Sequence, residues 1–173
     1  MKFASLTTGL CCIGLCLPAH AGLIGSTVDL REFFPNLATM TADDGSKTVS
    51  SSVEYPAVGL GLSVDITNTQ ILVTWPGPGA LGFTGSAFNG YELLFSGVTI
   101  TGATVNGSSA FNPAISIVGN NIFLNYSGVD TGVGPDTSII DVSTPASGVP
   151  EPGTLTLLGA GALGLGFLYK RRW

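Results

Sequence analysis

Acidic side chains are the residues of this sequence best equipped for chemistry. A glycosidase holds two carboxyl groups roughly 5 to 9.5 Å apart across a sugar cleft, and Asp65 and Glu92 are the pair that a sheet surface could bring together. Asp65, however, lies on the polar side of an alternating segment, where a solvated carboxylate is the ordinary outcome. We therefore expect no catalytic residues, and a glycan hydrolase is the less favoured alternative.

Two acidic loops carry the hard oxygen ligands that Ca²⁺ prefers. They are Asp43-Asp44-Gly45 and the segment from Asp130 to Asp136. Neither has the spacing of a calcium-binding loop, so each is more simply a turn with solvated acids. We expect no bound metal and no cofactor, and calcium-assisted binding stays open as an alternative.

Aromatic rings on the surface would indicate a carbohydrate-binding module, and Trp75, Tyr91 and Tyr126 are the candidates. Trp75 and Tyr126 fall on the predicted inward faces of strands, which favours packing in a core. A carbohydrate-binding module is the main alternative to a protein with no small-molecule ligand.

The N-terminal segment has the three parts of a secretory signal peptide. A basic start at Lys2 is followed by the largely apolar residues 3–17, and Ala19 and Ala21 occupy the two positions that signal peptidase reads. We predict a signal peptide over residues 1–21, delivered to the Sec translocon and cut after Ala21. An uncleaved anchor helix is the alternative.

Every residue able to act as a thiol or imidazole lies in this leader. The three cysteines, Cys11, Cys12 and Cys16, precede the single histidine, His20. A mature chain that starts at Gly22 has neither residue type. This excludes disulfides, a thiol nucleophile, a Ser-His-Asp triad and thiolate or imidazole metal sites.

The body of the chain is acidic and poor in charge. Charged residues make up 10% of the sequence, against about 25% in ordinary soluble domains. Between residues 22 and 149, Arg31 and Lys47 face ten acids, a net charge of −8. Such a body lacks the basic surface that binds nucleic acid.

Short alternating apolar runs separated by Gly, Asn, Asp, Ser and Pro clusters predict strands. In Leu62–Thr67, for example, every second residue is apolar. No helical period is sustained, so we predict an all-β antiparallel sandwich or jelly-roll-like single domain over residues 22–143, with a linker over 144–148. Asp43 to Ser46 is predicted to be a turn. The predicted strands are Thr27–Phe34, Lys47–Tyr55, Leu62–Thr67, Ile71–Trp75, Gly90–Phe95, Val98–Val105, Ala114–Val118, Ile122–Tyr126 and Thr137–Ser143.

The last segment combines a proline break, an apolar run and a basic cluster. Residues 153–169 carry no charge, and a helix of that length reaches about 25 Å, just enough to span a membrane. Pro150 and Pro152 disfavour helix upstream. Lys170, Arg171 and Arg172 follow directly, and such residues remain on the cytoplasmic side. We predict a single transmembrane helix at 153–169, the alternatives being a plain tail anchor or a buried core helix.

Residues 149–173, with Val149-Pro150-Glu151-Pro152 at their start, closely resemble the PEP-CTERM sorting signal of exported proteins of Gram-negative bacteria. The resemblance implies export, temporary anchoring in the inner membrane and processing by an exosortase near Pro150-Glu151-Pro152. It also implies a final location at the cell surface or in the extracellular matrix, where a polysaccharide of the biofilm is a further candidate partner. More loosely, segments 54–56, 63–71, 87–91 and 121–128 resemble small exported proteins of this group.

Overall fold

The structure, a computed structural model, describes residues 22–145, which form ten β-strands. Within this range there is no α-helix. The strands are β1 (Thr27–Phe33), β2 (Met40–Thr48), β3 (Tyr55–Val58), β4 (Leu62–Ile66), β5 (Gln70–Trp75), β6 (Gly90–Ser96), β7 (Gly102–Val105), β8 (Ala114–Val118), β9 (Asn121–Asn125) and β10 (Asp136–Ser143).

The strands build two five-stranded sheets in which all the pairings are antiparallel. The first sheet has the order β2-β1-β6-β9-β8 and the second has the order β3-β4-β5-β10-β7. One hydrophobic cluster draws residues from both sheets, so the two sheets pack face to face as a sandwich. The predicted all-β antiparallel architecture is confirmed.

Alternation along the strands fills the core between the sheets. Val28 and Leu30 of β1, and Val64 and Ile66 of β4, are fully buried, while their immediate neighbours are half-buried. Each such side chain contributes about 1.5–3 kcal/mol when it leaves water. Antiparallel hairpins join β4 to β5 and β8 to β9, and Gly119 adopts a positive φ of 62° in the second turn.

The predicted turn at Asp43 to Ser46 is wrong, because these residues lie inside β2. The β1–β2 register runs from Leu30 opposite Gly45 to Arg31 opposite Asp43, which leaves Asp44 as an extra residue. Gly45 has a φ of 72°. This is a β-bulge, in which a left-handed glycine accommodates the additional residue without ending the strand.

Two predicted strands are shorter than expected because side chains satisfy their backbone. Lys47–Tyr55 is interrupted between β2 and β3, where the Glu54 carboxylate accepts from the Ser50 amide at 2.8 Å. In Val98–Val105 only β7 remains. Asn120 accepts from the Ile100 amide and donates to the Val98 carbonyl, so these groups need no partner strand.

In the part of the chain that the structure describes, no helix is long and apolar enough to cross a membrane. The predicted signal peptide at 1–21 and transmembrane helix at 153–169 lie outside the described residues.

Candidate functional site

The two acids considered as a catalytic pair lie on different sheets. Asp65 belongs to β4 and Glu92 to β6. Each is out of phase with the buried apolar residues of its strand, so the two side chains point away from the core on opposite faces of the sandwich. The fold does not bring them together across a cleft.

Glu92 is instead part of a polar network on the outer face of the first sheet. Its carboxylate accepts from Asn121 at 2.6 Å and lies 3.7 Å from Arg31, which in turn forms an ion pair of 2.7 Å with Asp29. Partners therefore surround this buried acid, and it supports the β1–β6–β9 ladder.

The two loops considered for calcium do not assemble a cluster of ligands. Asp43 accepts from the Gly45 amide at 3.0 Å and thereby closes the bulge. The carboxylates of Asp130 and Asp136 each lie close to a glycine. A Cβ added at Gly82 would lie 2.7 Å from Asp130 Oδ1, and a Cβ added at Gly132 would lie 2.6 Å from Asp136 Oδ2. Over residues 22–145, no three acidic side chains come together as a metal site.

The inward placement predicted for Tyr126 is confirmed, and that of Trp75 holds in part. Tyr126 is fully buried, stacks on Phe83 at 4.9 Å between ring centroids and donates to Ser138 at 3.0 Å. Trp75 is half-buried against the core, and its indole donates to the Gly79 carbonyl at 2.9 Å. Neither ring is fully exposed on the surface.

A cleft of ≈ 280 Å³ opens at the end of the sandwich where β1 ends and β6 begins. The turn between β3 and β4 forms one wall, and residues 82–84 form another. Its volume is just below the range of about 300–1,000 Å³ typical of small-molecule pockets. It has room for one small ring.

The walls of this cleft are mainly apolar and aromatic. Phe33 continues β1 on the outer side, and Phe34, the next residue, is 37% exposed. Leu60, at the tip of the β3–β4 turn, is 65% exposed. The two glycines beside it have φ angles of 46° at Gly59 and 93° at Gly61, so the turn needs both.

Glu32 is the carboxylate of the cleft. It is in phase with Val28 and Leu30 and so faces the inside of the sandwich. Its Oε2 lies close to the backbone of Gly59, while its Oε1 is buried without a hydrogen-bond partner in the described residues. Burial raises the pKa of Glu32, and the negative charge of Asp44 raises it further.

Tyr91 stands directly opposite Glu32 in the β1–β6 register and lines the same cleft. The residue is only 4% exposed and belongs to the hydrophobic core. Burial and the charge of Glu32 raise its pKa, so the phenol stays protonated at neutral pH.

The bulge in β2 places a second acid near this pair. Asp44 Oδ2 is buried without a hydrogen-bond partner in the described part, and burial followed by the charge of Asp43 raises the pKa of Asp44. The bulge is held in place by Tyr55, whose hydroxyl donates to the Gly45 carbonyl at 2.7 Å. No ion pair reaches Glu32 or Asp44 from Arg31 or Lys47, the two basic residues of the described range.

The sequence analysis missed Glu32, and it named Asp44 only as a residue of an acidic loop. The alternation of Val28 and Leu30 contained a signal for Glu32, since it predicts an acid on the inner face. There was no signal for the position of Asp44 near Glu32, because an Asp-Asp-Gly-Ser segment has the same composition in a turn and in a bulge.

The residues predicted for processing and topology lie outside the described residues. They are Ala19 and Ala21 at the signal-peptide cleavage site, Val149, Pro150, Glu151 and Pro152 of the sorting motif, and Lys170, Arg171 and Arg172 of the basic cluster.

Comparison with known proteins identifies the tail and not the sandwich. Residues 148–172 match the family described as the PEP-CTERM protein-sorting motif. No curated protein and no solved structure matches the chain, so the looser resemblance of the body has no support from them. The matched motif implies an exported protein that is sorted through the membrane and processed by an exosortase. Residues 148–172 of this chain are a PEP-CTERM protein-sorting motif.

Proposed function

We propose that this chain is a non-enzymatic exported protein of the cell surface or extracellular matrix, which an exosortase releases from a membrane-anchored intermediate. The observation that carries the proposal is the sorting motif at 148–172, which begins five residues after β10, the last strand of an all-β sandwich. In this proposal the released protein is surrounded by the polysaccharide of a biofilm.

The start of the sandwich supports a mature N-terminus at Gly22. Leu23 is fully buried, and its amide donates to the Asn68 carbonyl at 2.9 Å. Gly25 donates to Val49 at 2.9 Å. Cleavage after Ala21 therefore leaves intact the contacts that pin residues 22–25 to both sheets. Mass spectrometry of the exported form should find Gly22 first, and a retained Cys16 would contradict the assignment.

The non-enzymatic part of the proposal is supported by three acidic residues whose carboxylates have hydrogen-bond partners within the domain. Glu92 and Asp141 have hydrogen-bond partners on the outer faces of the sheets. Glu54 is buried and accepts from the amides of Ser50 and Ile66, each at 2.8 Å. Carboxylates held in this way have hydrogen-bond partners that stabilise the fold.

The sorting route is tested by replacing Pro150, Glu151 and Pro152 together with alanine. An anchor needs only apolar length and flanking basic residues, so the variant should still insert in the inner membrane. A processing enzyme, by contrast, needs an extended charged segment outside the bilayer, which the two prolines favour. We expect immunoblots to show the full-length precursor accumulating in the membrane fraction.

A matched control changes three residues that precede the motif. The substitutions are Thr144→Ala, Pro145→Ala and Ala146→Ser. This variant should be processed at the normal rate. Replacement of Lys170, Arg171 and Arg172 should disturb orientation or retention. If the first variant reaches the surface in shortened form at the normal rate, Pro150-Glu151-Pro152 is only a linker.

A further inference from the structure

We propose that the cleft between β1, β6 and the β3–β4 turn binds a small organic ammonium ion that also carries hydroxyl groups, such as an amino sugar with a free amine. The inference goes beyond the sorting route and does not rest on it, since it concerns the purified protein.

One polar group of the cleft lacks a partner that a ligand can supply. Glu32 lines the cleft, and its Oε1 is buried without a hydrogen-bond partner in the described residues. A buried polar group without a partner is destabilising and uncommon in native proteins. A ligand that donates to Glu32 removes this deficit, and the hydroxyl of Tyr91, which also lines the cleft, can donate to the same ligand.

Glu32 can present its unpaired oxygen to the cleft. The carboxylate lies close to the backbone of Gly59, where an added Cβ would lie 2.9 Å from Glu32 Oε2. The last torsion of a glutamate side chain has a broad energy minimum. Rotation about it can therefore bring Oε1 to a ligand in the cleft that Glu32 lines.

Electrostatics favours a cationic ligand. Glu32 lies near a second acid, Asp44, and no ion pair from a described basic residue reaches either of them. An ammonium group supplies the missing positive charge and donates to the carboxylate in a charge-assisted hydrogen bond. A neutral sugar supplies hydrogen-bond donors but no positive charge.

The walls favour an organic cation over a metal ion. Phe33, Phe34 and Tyr91 offer aromatic surface, and an ammonium within about 6 Å of a ring is attracted to its face. Ca²⁺ takes about 6–8 oxygen ligands, whereas no three acidic side chains converge anywhere in residues 22–145.

The test measures binding of glucosamine, glucose and N-acetylglucosamine to the full-length chain in detergent, by saturation-transfer NMR titration. Glucosamine alone of the three carries an ammonium group. We expect it to bind at least about tenfold more tightly than the other two, the ratio expected from one hydrogen bond to a charged group. Equal affinity of the three sugars, or no binding of glucosamine, would overturn the proposal.

Three variants locate the site. Glu32→Gln removes the charge and should lower glucosamine affinity to that of glucose. Tyr91→Phe keeps the ring and removes the hydroxyl, and should weaken glucosamine by about three- to tenfold. Phe34→Ala removes an exposed wall with little risk to folding and should also weaken it. Unchanged binding in all three variants would place the sugar elsewhere.

The control variant is Asp65→Asn, which makes the same charge change on the outer face of the other sheet and should leave binding unchanged. Thermal melting of every variant verifies that it is folded. Calcium chloride at matched ionic strength should not displace glucosamine; displacement would assign the cleft to a divalent cation and overturn the proposal.

Discussion

Glu54 and Glu32 are two carboxylates on the inside of one sandwich with opposite surroundings. Glu54 accepts from the amides of Ser50 and Ile66, each at 2.8 Å, and clasps the loop between β2 and β3 to β4. Glu32 has a buried oxygen without a partner in the described residues and lies near a second acid, Asp44. Glu54 therefore stabilises the fold through its hydrogen bonds, whereas the burial of Glu32 is unfavourable for its charged form.

Loss of Glu54 should have the largest effect on stability. In Glu54→Ala the buried Ile66 amide loses its acceptor, and we expect the free energy of unfolding to fall by about 3 kcal/mol. Urea unfolding of residues 22–147 measures it. We expect this segment to give a β-type far-ultraviolet spectrum and to unfold cooperatively.

The control for this change is Asp65→Ala, which removes a half-buried carboxylate on the outer face and should alter stability by less than about 0.5 kcal/mol. If the two variants are equally stable, Glu54 does not clasp the loop. A helical or disordered spectrum would contradict the sandwich itself.

Glu32→Gln should act in the opposite direction and more weakly. The folded pKa of Glu32 is raised above 4.5, so its ionisation opposes folding at neutral pH. We expect the free energy of unfolding to rise by no more than about 1 kcal/mol at pH 7, since solvent screens this half-exposed group.

The same comparison has a defined pH dependence. As the pH falls through the raised pKa towards 4.5, the wild-type carboxyl takes up its proton, and its penalty disappears. The advantage of Glu32→Gln should therefore shrink as the pH falls and vanish below pH 4.5 in urea unfolding. An advantage that grows with acid would show that Glu32 is stabilised as a carboxylate.

Asp141 should give the smallest effect, with the reverse pH dependence. Hydrogen bonds from Gln70 and Asn106, each 2.7 Å, lower the pKa of Asp141 below 3.8. Its contribution is present above pH 3.8 and is lost as the pH falls through the lowered pKa. Asp141→Asn should be slightly less stable than wild type at pH 7 and equal to it in strong acid, by the same urea measurement.

Alternation predicts the sandwich because it reports local geometry. In β4 and β5 every second residue is buried, and the sequence places Leu62, Val64, Ile71 and Val73 on the correct faces. The tail motif is likewise readable without a fold, because its proline break, apolar run and basic cluster are contiguous.

The cleft could not be predicted because its parts are distant in sequence. Glu32, Gly59 and Tyr91 meet only when β1 pairs with β6 and the β3–β4 turn closes over them. The bulge at Asp44 and Gly45 depends on the register with β1. Contacts between residues that are distant in the chain produce no periodic pattern in a single sequence, so the sequence alone does not predict them.

The position of β10 decides how the sandwich bears mechanical load. The sorting motif begins five residues after Ser143, the end of β10, and β10 lies inside its sheet between β5 and β7. Ladder hydrogen bonds run perpendicular to the strands, so tension along β10 from a C-terminal tether is shared by the bonds on both of its sides. A tether on an edge strand would load the bonds on one side only, whereas a pull on the C-terminal end of β10 has to shear the strand from two neighbours at once.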